Sequence, residues 1–292
     1  GKWGYIDREG KVAVPPRFQG AIPFTEGLGV VRVGEACGYI DGEGNTVIAP
    51  RFKNAWPFCE GLAPVRDDKH RSGYIDRGGR MVVAADYADA DAFHDGLARV
   101  MKYSRYGFID RTGRLVVRPE YDFAGSYSQG LALVVIAHRA GFIDKTGKLT
   151  IPARFDAALD FSEGLAAARQ GEKYGFIDPS GLWTIEPRFE AVAGFREGLA
   201  AFGQDGRWGF IDRTGKVVLA PQFDQVEEGF SEGLAAVRVG DRWGYVDASG
   251  HQVVPARYTS ARPLHDGLGQ VRDGDAMGYV DRSGRIVWTP SK

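Results

Sequence analysis

Cysteine and methionine are scarce in this chain, with 2 and 3 copies in 292 residues, and its formal net charge is only −1. Each shortage excludes something. Cys37 and Cys59 alone can neither build a disulfide framework nor hold a metal. No apolar stretch approaches the roughly 18 residues of a membrane span. Residues 1–20 lack the charged-then-apolar order of a signal peptide, so a soluble chain without membrane insertion is expected. It opens on Gly1 rather than Met, which leaves its compartment and any preceding segment open. Acids and bases are interspersed, so there is no basic field for a phosphate backbone, and nucleic acid is not an expected partner. What is plentiful is glycine, 41 residues, beside 12 % aromatics, a composition that suits short strands and tight turns rather than long helices.

Sliding the chain on itself reveals a repeat of about 34 residues. The tract WGYIDREG at 3–10 returns as CGYIDGEG, SGYIDRGG, YGFIDRTG, AGFIDKTG, YGFIDPSG, WGFIDRTG, WGYVDASG and MGYVDRSG. A second landmark, FTEGL at 24–28, runs in phase with it as FCEGL, FHDGL, YSQGL, FSEGL, FREGL, FSEGL and LHDGL. Between them lies an apolar stretch ending in an aromatic, such as VVLAPQF. The chain therefore reads as one array, 1–292, with eight full units and a ninth partial hairpin at 276–290. Single-residue insertions fall in 67–72 and 225–229, which predicts loops at both places.

The GYID or GFID tract alternates in the period-two manner of a strand. The Asp-x-x-Gly after it is a turn, with Asp accepting nearby amides and Gly supplying positive φ. The return strand is the Val-rich run, expected to stop at proline because proline cannot donate to a ladder. A third strand follows Glu-Gly-Leu, as at 234–238. The expected fold is thus all-β: tandem three-stranded antiparallel meanders, with a connection of about a dozen residues between units that must stack to bury their apolar faces. Because the chain starts on a Trp-Gly strand and stops after a Val-rich one, an open, solenoid-like β-superhelix is expected, with a closed β-propeller as the alternative.

The WGYID tract, the Asp-x-x-Gly turn, the apolar run ending in Pro-x-Phe, and FSEGL with its short strand together resemble the WG (KWG) repeat family of bacteria, over essentially the whole chain. Trp stands in the motif only at Trp3, Trp208 and Trp243, and Ala85, Ala153 and Ala256 replace the proline. The resemblance implies a binding scaffold and carries no catalytic residue set.

The recurring carboxylates, such as Asp110, Asp212, Glu197 and Glu232, are explained by geometry common to every unit: a hairpin turn, and a cap ahead of Gly-Leu. The five histidines form no local pair at metal-ligand spacing, and the glycine tracts precede no helix that could cradle phosphate. No enzyme activity, metal or cofactor is expected. Function is sought where units differ. The turns before the Trp-Gly strands carry a basic and aromatic patch, Lys69, His70, Arg71, Tyr103, Arg105 and Arg139, and the long connections carry Trp56 and Phe123. Exposed aromatics and arginines anchor protein interfaces, so these eight are the expected partner-binding residues of a protein-binding module, an adaptor, receptor-like scaffold or inhibitor. Carbohydrate or cell-wall binding is the alternative. It would require a ring at each Trp-Gly position, where Cys37, Ser72, Ala140 and Met277 break the series.

Overall fold

The computed structural model describes residues 1–289; Pro290, the last residue of the expected partial hairpin, lies outside them. Within 191–223 the chain makes four antiparallel strands in sequence order: a, Ala191–Val192; b, Leu199–Gln204; c, Arg207–Asp212; and d, Val217–Phe223. The same a-b-c-d order recurs over 20–52, 54–87, 89–121, 123–155, 157–189, 225–258 and 260–288. These eight sheets are numbered as blades 1 to 8 along the chain, which makes 191–223 blade 6. Residues 3–18 form a separate two-stranded hairpin, of c and d type. The described chain falls into two bodies: Gly1–Asp7 with Val12–Arg154, and Arg8–Lys11 with the described residues from Phe155 onward.

Two findings overturn the open array of three-stranded meanders. First, the long connection is itself strand a. It is six or seven residues long in blades 3, 4, 7 and 8. In blades 1, 2, 5 and 6 it shrinks to two residues and an isolated bridge. Prolines, glycines and charged residues in segments such as 20–24 and 225–231 hide the period-two pattern that marks the other strands. Second, the turn Arg8–Lys11 belongs with the body that ends the chain. Arg8 Nη2 lies 2.7 Å from the Asp266 carboxylate, and a Cβ on Gly10 would lie 2.3 Å from the Val287 carbonyl oxygen. Elsewhere the Asp-x-x-Gly glycine sits in the same way on strand d of the preceding blade, as with Gly215 on Ile185, Gly250 on Leu219 and Gly284 on Val254. The first turn thus takes, beside the last blade, the place that the turns of blades 6, 7 and 8 take beside the blade before them. An open array offers no such contact, and the fold is a β-propeller with eight four-stranded blades.

The motif glycine has a different cause from the turn glycines. Along blade 6, Trp208 pairs with Phe223 and Phe210 with Leu219, so strand d spends four steps where c spends two and arches over Gly209. A Cβ on Gly209 would lie 2.4 Å from the Leu219 carbonyl oxygen and 2.8 Å from the Pro221 nitrogen. Proline is tolerated in the arch because d is an edge strand and the ladder is interrupted there. The expectation that proline ends the strand is therefore corrected: d runs through Pro221 to Phe223. The insertion at 225–229 is likewise a bulge within strand a of blade 7, with Glu228 and Gly229 at φ 56° and 100°, rather than a loop.

Apolar side chains are buried between neighbouring blades. Ala201, Phe210, Leu219 and Phe223 of blade 6 pack with Phe230, Ala235, Val237 and Val246 of blade 7. The residue ahead of Gly-Leu ties adjacent blades at the surface, beyond the capping role expected of it. Held near φ +50°, the Glu26 carboxylate accepts the Gly61 amide at 3.1 Å, Glu60 accepts Gly96 at 3.0 Å, and Glu232 accepts Gly267 at 2.9 Å. Asp266, the last of the series, takes Arg8 instead.

In the Asp-x-x-Gly turns the aspartate organises the backbone as expected. Asp110 Oδ1 accepts the Thr112 hydroxyl at 2.6 Å, the Thr112 amide at 2.9 Å and the Arg114 amide at 3.1 Å. The hydroxyl hydrogen bond leads in pushing this carboxyl down to about 2. An unfolded aspartate titrates near ~3.9, so the turn's contribution is complete above that pH and disappears as pH falls through about 2. Urea midpoints measured from pH 6 to pH 2 should show Asp110→Asn less stable than the parent at neutral pH, with the gap closing in acid. A gap constant with pH would show that the ionised form has no special role.

Candidate functional site

Six of the eight sequence-selected residues lie at one end of the sheets of blades 2, 3 and 4, four on the b–c turns and Arg105 and Arg139 at the first position of strand c. In residues 67–71, Asp67 Oδ1 accepts the Lys69 and Arg71 amides at 2.9 and 2.8 Å. This copies the Asp-x-x-Gly turn with His70, at φ 59°, in the glycine's place. The blade 3 turn places Tyr103 and Ser104 at φ 52° and 59°, and the blade 4 turn places Ala137 and His138 at 48° and 63°. The equivalent turns of blades 1, 5, 7 and 8 put Gly34, Gly171, Gly240 and Gly274 in this region, and that of blade 6 puts Asp205 and Gly206 there at φ 50° and 72°. Only glycine adopts it without steric cost. Tyr103 is 87 % exposed, and Lys69, His70, Arg71, Arg105 and Arg139 are exposed as well.

Much of the positive charge is already matched. Asp86 takes Arg71 at 2.7 Å and Lys102 at 3.1 Å, and its carboxyl is held below the usual range by Lys102 first and Arg71 second. Arg105 pairs with Asp122. Lys102 also lies 5.7 Å from the centre of the Tyr103 ring. The surface is therefore an aromatic side chain set among hydrogen-bonding cations, with little net field.

Trp56 and Phe123 stand apart from these turns. Phe123 opens strand a of blade 4, and its ring meets Tyr106 of blade 3 at 5.9 Å, edge on. Half-buried Trp56 lies under the Arg66 guanidinium at 5.7 Å and accepts the Tyr39 hydroxyl on its carbonyl at 2.8 Å. Beside it opens a cleft of about 440 Å³, lined by Trp56, Phe58, Cys59, Asp91, His94 and Arg99 among others. Asp91 and Arg99 are not among the eight residues expected from sequence. Arg99 lies 3.0 Å from Asp91, which also accepts the Ser126 hydroxyl at 3.0 Å, and Arg66 lies 3.1 Å from Asp89. The cleft's ions thus cancel in pairs and brace blade against blade. A signal was present: Arg99 stands where other units carry Val30, Pro64, Leu133 or Ala167, and Asp91 where they carry Ile22, Trp56 or Leu159.

Repeated blades with a constant interior and divergent turns define a repeat β-propeller. Matches to the WG containing repeat cover residues 3–35, 38–69, 73–105, 106–136, 141–174, 174–208, 208–243 and 243–275, and the chain belongs to that family. Among solved structures, one of a eukaryotic initiation factor is similar with a TM-score of 0.66 and 12 % identity, over 96 % of this chain and 90 % of that one. The computationally designed Ika8 protein is similar at 0.55 and 12 %, over 90 % and 93 % of the two chains. Apo AztD from Citrobacter koseri follows at 0.51 and 13 %, over 88 % and 92 %. At these identities the likeness is one of fold alone. No curated protein matches the chain.

Proposed function

We propose that this WG-repeat propeller is a non-catalytic protein-binding scaffold whose partner docks on the b–c turns of blades 2 to 4. The observation that carries the reading is the replacement of glycine there. Blades 1, 5, 7 and 8 open the left-handed turn with glycine and blade 6 follows Asp205 with Gly206, whereas blades 2, 3 and 4 hold no glycine there and place His70, Tyr103 with Ser104, and Ala137 with His138 in it. A bulky residue at positive φ is strained, and such strain concentrates at functional surfaces. An exposed tyrosine at an end of the sheets that also exposes Lys69, Arg71, Arg105 and Arg139 has the composition of an interface centre.

Tyr103→Gly separates binding from folding. Glycine relieves the left-handed strain, so stability should stay level or rise by up to about 1 kcal/mol while a partner's anchor disappears. In a pull-down from lysate of the source organism, a protein retained by the parent and lost by Tyr103→Gly supports the scaffold. Equal retention by both, or retention of glycan alone, rejects this face.

A further inference from the structure

A second cleft, of about 420 Å³, lies between blades 1 and 2 and shares Trp56 with the first. Its charge is unbalanced. Asp89, Asp91 and Arg99 line the cleft already described, whereas Arg32 lines this one with no acidic residue beside it. Arg32 is half-buried on strand b of blade 1, and its side-chain hydrogen bonds all end on neutral oxygens. They are the Asn54 side-chain oxygen at 2.9 Å, the Glu35 carbonyl at 3.2 Å and the Lys53 carbonyl at 3.4 Å. The Glu35 carboxylate turns to Lys53 instead, at 3.4 Å. A cation drawn out of water keeps its desolvation cost unless an anion faces it. The neighbouring blade supplies the comparison. Arg32 and Arg66 hold the same strand position, each pairing with the first residue of its own strand a, Gly20 or Asn54. Arg66 meets the Asp89 carboxylate of the next blade at 3.1 Å, but Arg32 meets Asn54 there, an amide in the carboxylate's place. Arg169 and Arg238 repeat the position in blades 5 and 7, where the next strand a sets Ala193 or Arg262 in the place of the Trp56 ring. Of these four arginines, Arg32 is the one that combines an unmatched charge with an aromatic wall.

We infer that this cleft binds a small organic carboxylate carrying a flat apolar body. The carboxylate takes at Arg32 the part that Asp89 plays at Arg66. Because Arg32 already holds the Asn54 oxygen, the amide end of Asn54 is left as a further donor to the ligand. The flat body lies against the Trp56 ring and the apolar walls Ile22 and Val30. A cleft of this size suits one small molecule held by a few convergent polar groups on an apolar lining. The site uses no residue of the b–c turns of blades 2 to 4, so it does not rest on the scaffold reading.

In isothermal titration calorimetry on the unaltered chain, 2-naphthoate or indole-3-acetate should bind saturably at a single site. The matching uncharged amide should bind about tenfold more weakly or worse, since it keeps the ring and loses the charge. Arg32→Gln should weaken the acid by about tenfold or more. Asn54→Asp rebuilds at Arg32 the pair that Arg66 makes with Asp89, and should weaken the acid as much while leaving the urea midpoint level or higher. Loss of binding in a variant at least as stable as the parent separates filling of the site from unfolding. Arg169→Gln, at the same strand position in blade 5, should bind as the parent does. No saturable binding of either acid, equal binding of acid and amide, or full affinity in Asn54→Asp overturns the proposal. Tyr103→Gly should bind the acid as the parent does, so failure here leaves the scaffold reading standing, and the converse.

Discussion

Gly209→Ala is expected to destabilise the protein by about 3 kcal/mol or more, although it adds a single methyl group. The methyl would lie 2.4 Å from the Leu219 oxygen, 2.8 Å from the Pro221 nitrogen and 2.9 Å from the Ala220 carbonyl carbon. All three are backbone atoms, so no side chain can rotate away. Relief requires the arch of strand d to lift, and lifting it pulls Phe223 from its pairing with Trp208 and from the core shared with blade 7. Gly42→Ala is the matched control, since a Cβ there meets nothing within 4 Å and Gly42 is not among the positive-φ glycines. It should move the urea midpoint by no more than about 0.5 kcal/mol equivalent. If the two variants unfold together, the close approach of d to c does not explain the motif glycine. The same arch recurs over Gly4, Gly38, Gly73, Gly107, Gly141, Gly175 and Gly244, with every hypothetical Cβ within 2.7 Å of a carbonyl oxygen.

That geometry explains which parts of the fold could be read from the residues alone. Strands b, c and d, the Asp-x-x-Gly turn and the length of the unit depend on local alternation and local hydrogen bonds, which sequence displays directly. Strand a depends on pairing with b, and it carries residues such as Pro263, Asp91 and Gly125 that disguise a strand taken by itself. Closure was harder to see. It depends on Arg8 meeting Asp266 across 258 positions of chain, and on a turn packing beside a blade that is last in sequence. The phase of the termini pointed to an open array because a missing strand b at the hairpin looked like an end that could not close.

The site divides along the same line. Lys69, His70, Arg71, Tyr103, Arg105 and Arg139 were found from variability of composition at a repeated position, and the fold places their turns at corresponding ends of blades 2 to 4. Trp56 and Phe123 were selected because they are large, but packing, not variability, accounts for their positions against Arg66 and Tyr106. The loss of glycine from three successive turns was legible in principle. It became meaningful only once the backbone angles showed that those turns demand positive φ.

Phe210→Ala is the second substitution with a large expected effect, about 3–5 kcal/mol, and its distribution along the chain is as informative as its size. The ring is 0 % exposed and is held between sheets, 6.3 Å from Phe223 in its own blade and 4.8 Å from Phe230 in the next. If blades were separate domains, removing it would loosen blade 6 alone. Because the core is shared, hydrogen exchange should accelerate in strand a of blade 7, around Phe230, as much as in strand c of blade 6. Val218→Ala, on strand d of the same blade and 41 % exposed, should cost no more than about 0.5 kcal/mol and leave blade 7 protected. Faster exchange confined to blade 6 would mean that neighbouring blades are joined mainly by surface ties such as Glu197 on the Gly233 amide. Acceleration in both would place stability in the layers between blades. Variation in turn sequence could then accumulate at their ends without unsettling the scaffold.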